Sequence, residues 1–298
     1  MLDGIIWFLT NIGLAFVNVF RAVSNPSAWL DWSQNESLGR FIYYGASHEL
    51  FFVILDIFII VTAIGLWRRN ILWGVVRALE WIANSIGRFA AYAALFMVLQ
   101  QIMIIFLQRI FRVADISIGP FGYVFTKDLS WFGEELKLYN AMIVALCASY
   151  TFVQGGHVRV DLFYAGMKYR TKKIVDMLGS LIYIIPSMTM IWMFGWFYLW
   201  RALVTPKMAV SDKFELLMRK SKLLKWNVET IGFSPNGFDA YFLFKILLIA
   251  FAGLMFLQGI AFFYRSMLEL IEGPESEGKY RDIDVIEDDT ARLVAEIH

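Results

Sequence analysis

Four apolar runs, each long enough to cross a lipid bilayer, decide what this chain can fold into. They lie at 47–67, 89–108, 174–200 and 240–264, where a span needs about 20 apolar residues, or about 17 at the short limit. In hydrocarbon the backbone N–H and C=O groups have no water to bond, so each run is expected to close its hydrogen bonds as a helix. A fifth run, 138–154, is shorter and sits between the acidic pair Glu134 and Glu135 and the glycines Gly155 and Gly156. It qualifies as a span if the acidic turn reaches the interface. Ile5 to Phe20 is interrupted by Asn11 and Asn18; it can span or lie in the interface, and an in-plane or shallow helix is the favoured reading.

Composition excludes a soluble domain. The chain is 59% hydrophobic and 18% charged, with a mean hydropathy of +0.58, well outside the globular norm. Aromatic residues make up 17%, which suits lipid-facing surfaces and interfacial belts. The single cysteine, Cys147, supports neither a disulfide framework nor a thiolate metal site and reads as a packing residue. The N-terminus carries Asp3 in place of the cations of a cleavable signal. Residues 272–298 hold nine acids against Lys279, Arg281 and Arg292 in a chain of net charge +1. That tail reads as a solvated appendage on a basic body suited to anionic headgroups. With Ile5–Phe20 not spanning, the cations divide evenly between the two sides, so the positive-inside rule does not set the orientation.

The search for chemistry finds polar groups but no active site. Asp56 stands near the middle of the first clear span; a carboxylate there faces protein, as helix-to-helix glue or as a proton or cation site. Gln100, Gln101 and Gln258 are interhelical hydrogen-bond candidates. The histidines, His48, His157 and His298, form neither a haem pair nor a zinc motif, and no Ser/His/Asp set assembles. After the short span the chain reads Gly155-Gly156-His157-Val158-Arg159-Val160-Asp161. His157 and Asp161 share a face if this stretch is helical, and all three polar residues line one side if it is extended. A structural clamp on the helix end is the expected role, and alanine substitution is expected to lower assembly or abundance. Ser130 reads as a helix N-cap, with Glu134 and Glu135 at the positive end of the dipole. The connection 201–239 is long for a helix bundle; within it Asp212–Trp226 places Phe214, Leu217, Met218, Ser221 and Leu224 on one helical face. That face is expected to be an interfacial helix, a docking surface or a plain solvated helix.

In order and spacing these pieces resemble the small membrane (DctQ-type) subunit of the tripartite ATP-independent periplasmic, or TRAP, transporters. A Leu79-Glu80-Trp81 start leads to a span ending Gln108-Arg109-Ile110-Phe111-Arg112. Then come Trp131-x-x-Glu134-Glu135-Leu136, the short span, and Gly156-His157-Val158-Arg159-Val160-Asp161-Leu162 followed by basic residues and two more spans. The resemblance covers roughly 78–268. The expected fold is an all-α polytopic membrane protein, with a four-helix small-permease core at 68–271. An N-terminal extension at 1–67 carries at least one extra span, and the acidic tail lies at 272–298.

The resemblance implies a non-catalytic subunit of the bacterial inner membrane. It would brace a large elevator-type permease subunit and help dock a periplasmic substrate-binding protein, commonly for sodium-coupled uptake of an organic acid. It implies no cofactor in this chain, with sodium held by the large subunit, membrane lipids as neighbours and no nucleic acid. The Gly156–Asp161 end would face the cytoplasm and the 201–239 loop the periplasm, so deleting Asp212–Trp226 is expected to weaken transport while sparing the complex. Glu134, Glu135, Gly156, His157, Arg159, Asp161, Arg109 and Asp56 are the structural or subunit-interface candidates. The rival readings are an autonomous secondary transporter or channel, which would show inverted repeats and broken helices with only Pro186 as a candidate break, and a membrane anchor for another complex.

Overall fold

The computed structural model describes residues 2–119, 124–155, 164, 166–230, 232 and 236–284. Its long helices are α1 (Leu2–Ser24), α4 (His48–Trp67), α5 (Arg69–Ile105), α6 (Leu129–Gln154), α8 (Ile185–Leu203) and α10 (Phe242–Glu272). Short helices α2 (Ser27–Leu30) and α3 (Asn35–Tyr44) precede α4, and α7 (Tyr169–Gly179) runs through a π-turn (Ser180–Ile184) into α8. The small helix α9 (Phe214–Ser221) lies in the long connection. Among the described residues six helical stretches are long and apolar enough to cross a membrane, the first being Asp3–Ser24. Among the described residues the strands form two small antiparallel pairs, β1 (Asp115–Ile118) with β2 (Phe125–Asp128) and β3 (Val204–Thr205) with β4 (Lys225–Trp226). The protein is all-α and polytopic, as its apolar runs predict.

The greatest departure from hydropathy is α5. The apolar run begins at 89, yet the helix begins at Arg69 and, with its terminal π-turn, continues to Ile110. At about 1.5 Å per residue it is roughly 60 Å long, twice the thickness of a hydrocarbon core. Its two halves have different partners. The first half packs on α4, where Gly65 lies so close to Leu72 that a Cβ would come within 2.1 Å of its Cγ. The second half pairs antiparallel with α6: Gln154 bonds Asn84, Gly87 lies against Tyr150, and Gln100 donates to the Phe132 carbonyl. Cys147 sits in this seam with its Sγ 3.4 Å from the Gly87 carbonyl, a packing position.

Helix α10 is the hub. Tyr264 donates to the Phe58 carbonyl of α4 and meets Thr62, Phe262 meets Phe152 of α6, and Gly253 and Gly259 admit Trp192 and Ile184 from the α7–α8 side. Pro186 does not break that side. It lies in the first turn of α8 directly after the π-turn, where a missing N–H costs least.

Two sequence expectations about the extremities change. Residues 203–226 and the segment before α4 are one unit at the end of α8. Leu38, Ile42 and Ala46 share a buried core with Phe197, Trp200, Val204, Met208, Leu217 and Leu224, and Trp192 and Trp196 donate to the carbonyls of Gly45 and Ile42. The apolar face read at Asp212–Trp226 as interfacial or docking is therefore mostly inside: Leu217, Ser221 and Leu224 are buried. Deleting that segment would empty the core, so the expectation that the complex survives it is withdrawn. The tail is not a free appendage over its described part either. Residues 274–284 fold back over the start of α5 and the end of α6 because nearly every acid there meets a cation or a helix donor, as the next section shows.

Candidate functional site

The polar interior lies where α5, α7 and α10 meet. Arg265 forms a bidentate pair with Glu80, its Nε 2.7 Å from Oε1 and its Nη2 2.6 Å from Oε2; the two side chains are only 2% and 5% exposed. Its Nη1 also donates to the Lys279 carbonyl. One turn on, Glu269 takes Lys173 of α7 at 2.5 Å and the Gly278 N–H at 3.1 Å. Lys173 reaches Glu277 as well, and Trp73 donates to Glu272. Two buried cations thus neutralise the acids around them, which is what lets charge enter the interior. The local sequence explains the placement: Leu72, Trp73, Val76, Glu80, Ala83, Asn84 and Gly87 recur at helical spacing on the buried face of α5.

From this cluster the chain crosses to the α5–α6 seam. Arg88 holds Asp282 and Asp284, and Tyr150 donates to Asp284 at 2.6 Å. The Arg88 guanidinium, with Asn84 for Asp282 and Tyr150 for Asp284, keeps both carboxyls below the usual carboxylate range.

At the opposite end Glu134 and Glu135 do more than cap a helix. Helix α6 starts at Leu129, after Asp128, so Ser130 is not its N-cap. Glu134 accepts the Phe238 N–H at 3.0 Å, and Glu135 accepts Gln100 Nε2 at 3.1 Å. The two acids tie α6 to the entry of α10 and to α5. Nearby, the Trp131 indole N–H and Lys127 both meet Asp239; that indole, ahead of Lys127, holds the Asp239 carboxyl low.

Asp56 is 5% exposed, and its Oδ2 finds no partner among the described residues; Gln258 is likewise buried with its Oε1 unpartnered. Gln101 is exposed. His48 lies at the start of α4, beside Glu49 and Trp7. Arg109 is exposed in the π-turn that ends α5. Gly156, His157, Arg159 and Asp161 lie outside the described residues; just before them Gly155 ends α6 in the left-handed conformation (φ 73°) that glycine adopts without strain. The Glu80–Arg265 pair, among the most buried ion pairs described, leaves little trace in the sequence, where Glu80 enters only with the Leu79-Glu80-Trp81 start. Glu80 falls on the apolar period of α5, and that was the available signal.

The remainder of the site is surface. Helix α5 and its terminal π-turn expose Phe89, Tyr92, Phe96, Leu99, Met103 and Phe106 in one stripe, a face at helical spacing with no partner among the described residues. At the α8 end Arg201, Lys207, Lys213, Arg219, Lys222 and Lys225 are all exposed. Among the described residues no group of His, Cys, Asp or Glu side chains is arranged to hold a metal ion.

Residues 122–214 match the family model described as the DctQ component of tripartite ATP-independent periplasmic transporters. No curated protein and no solved structure gives a significant match. The matched stretch runs from β2 through α6, α7 and α8 to the start of α9, taking in Glu134, Glu135 and the sequence from Gly156 to Asp161. Over residues 122–214, therefore, this chain is similar to the DctQ component of tripartite ATP-independent periplasmic transporters, which supports a small permease subunit.

Proposed function

We propose that this chain is a non-catalytic scaffold that holds the immobile part of a large permease subunit in the bacterial inner membrane. The transported solute, an organic acid, and the coupling sodium ions would be bound by that partner. The observation that carries this reading is the contrast between interior and surface. Inside, the helices are locked by glycine contacts, by charge pairs such as Glu80–Arg265 and by hydrogen bonds such as that from the Phe238 N–H to the Glu134 carboxylate. Outside, the Phe89–Phe106 stripe is apolar and unpartnered among the described residues. A rigid body with a long apolar face suits bracing.

In this reading the Gly155 end faces the cytoplasm and the basic α8 end faces the periplasm, where it meets the substrate-binding protein. Helix α1 lies within one leaflet. Trp7 and Phe8 meet Phe52 at the start of α4, while the Ala22 carbonyl accepts Trp29, which stacks on Phe41 of α3. Those contacts tie α1 to the first turns of α4 and, through Trp29, to α3.

The test is a tagged purification from native membranes in mild detergent, with mass spectrometry of the co-purifying chains. A photo-crosslinker placed at Phe96 then reads the stripe. A stoichiometric larger permease, crosslinked at Phe96, supports the scaffold. A chain that purifies alone and moves solute in liposomes is an autonomous transporter and ends this reading. For docking, the triple reversal Arg219→Glu, Lys222→Glu and Lys225→Glu is expected to lower transport and binding-protein affinity while the membrane complex persists.

A further inference from the structure

The crevice between α5 and α6 at Asn84, Arg88, Tyr150 and Gln154 has the construction of a peptide-binding site. Asn84 Nδ2 donates to the Asp282 carbonyl at 2.9 Å and to its carboxylate at 3.1 Å. Gln154 behaves like the edge of a strand: its Nε2 donates to the Asp282 carbonyl at 3.0 Å, and its Oε1 accepts the Asp284 N–H at 2.9 Å. Arg88 forks onto Asp284 through Nε (3.1 Å) and Nη2 (2.6 Å) and reaches Asp282 at 3.0 Å. Tyr150 completes the grip on Asp284. Two carboxylates and two backbone groups are read, while Ile283 between them is left 43% exposed. We infer that this crevice is a recognition site for an Asp-x-Asp peptide, filled here by the chain's own Asp282–Asp284 and open to the same motif in trans when vacated.

Three observations carry the inference. The receptor groups stand on helices fixed independently of the tail by the Gly87–Tyr150 contact, and Gln154 is oriented by a bond to Asn84, which is fully buried. The site is therefore preorganised, which cuts the cost of binding. Bidentate guanidinium–carboxylate geometry supplies specificity for acids over amides. The occupant is exchangeable. Residues up to Tyr280 are anchored on buried side chains of the helices, with Glu277 on Lys173, Gly278 on Glu269 and Tyr280 against Trp73. Asp282 and Asp284 are about half exposed and held by polar contacts alone, and exposed ion pairs contribute little. What keeps them in place is tethering, which acts as a local concentration on the order of millimolar.

The experiment uses the full chain carrying Asp282→Asn and Asp284→Asn, which vacates the crevice without touching its walls. A fluorescent, terminally blocked peptide of residues 280–286 is titrated and followed by anisotropy. Saturable binding is expected. It should be at least tenfold weaker with the unsubstituted chain, with Arg88→Gln added, and with a peptide whose two aspartates are asparagines. In 1 M salt, where the screening length falls to about 3 Å, it should weaken further. Absence of saturable binding, or binding indifferent to Arg88, overturns the proposal. As a second readout in the otherwise unsubstituted chain, Arg88→Gln should speed tryptic cleavage after Arg281 at least tenfold; unchanged cleavage would equally refute the latch.

Discussion

Replacing Arg265 with methionine strands Glu80 in the interior, and the cost can be worked from the geometry. Both side chains are at least 95% buried, and the pair is bidentate at 2.6 and 2.7 Å. Removing one partner from such a pair costs about 3–5 kcal/mol, because the other charge is left without water or counter-charge. Arg265 also holds the Lys279 carbonyl, which places this site at the upper part of that range. With roughly 2–4 °C per kcal/mol for domains of 150–250 residues, the midpoint for heat-induced loss of the monodisperse chain in detergent should fall on the order of 10 °C. Substituting both partners, Glu80→Leu with Arg265→Met, removes the desolvation penalty along with the attraction and should restore most of the loss. The assay is fluorescence-detected size exclusion after a heating series, run on the two single variants and the double as a cycle. A shift under 2 °C for Arg265→Met, or a double variant that loses the sum of the singles, would refute the claim that this pair couples α5 to α10.

Two further outcomes follow from local geometry. Gly87→Ala places a Cβ 2.1 Å from that of Tyr150; the over-packed α5–α6 seam should lose about 1–3 kcal/mol, read as a lower midpoint in the same heating series. Asp212 is partly buried, which on its own would raise its pKa, yet the Lys220 ammonium at 2.6 Å and the Ala209 N–H hold it below its ordinary 3.8. A depressed carboxylate stabilises above its unfolded pKa and loses that contribution as pH falls through the folded one. The α8-end unit should therefore be insensitive between pH 9 and 5 and loosen only below 3.8, seen in tryptophan emission, whereas Lys220→Met should move that loosening to higher pH.

Much of this architecture is legible in the residues, and what is not has physical causes. The apolar runs locate the spans because hydrocarbon admits little else, and Gly155 ends α6 where the glycine pair stood. The first half of α5 escapes hydropathy because Arg69, Arg77, Glu80 and Arg88 dilute the average, although Leu72, Trp73, Val76 and Ala83 keep helical time. Helix α10 outruns its apolar segment for the same reason: Arg265 and Glu269 look like an exit to solvent until Glu80 and Lys173 are seen to neutralise them. The tail misleads most. A run of acids reads as solvated because composition counts charges without their partners, and Arg88 lies almost 200 residues from Asp284. Glu134 and Glu135 were legible as important but not in role, since their partners, Phe238 and Gln100, come from elements distant in sequence.

The N-terminal extension and the 201–239 connection look in the sequence like two separate additions, but each lacks half a core. Helix α3 contributes Leu38, Ile42 and Ala46; the connection contributes Met208, Leu217 and Leu224; the end of α8 supplies the wall. Eight-residue α9 and ten-residue α3 are both too short to be stable as isolated helices, so each depends on the other's apolar face. Gly39 marks the closest approach, where a Cβ would lie 2.4 Å from that of Ser221. Gly39→Leu therefore cannot be absorbed by a side-chain shift and must drive α3 from α9. Tryptic cleavage at Arg40 should then rise in step with cleavage at Arg219 and Lys222, while the α5–α6–α10 body keeps its protection. If Arg40 alone becomes exposed and α9 stays protected, the two additions fold separately, and the basic surface at this end owes nothing to the N-terminal extension.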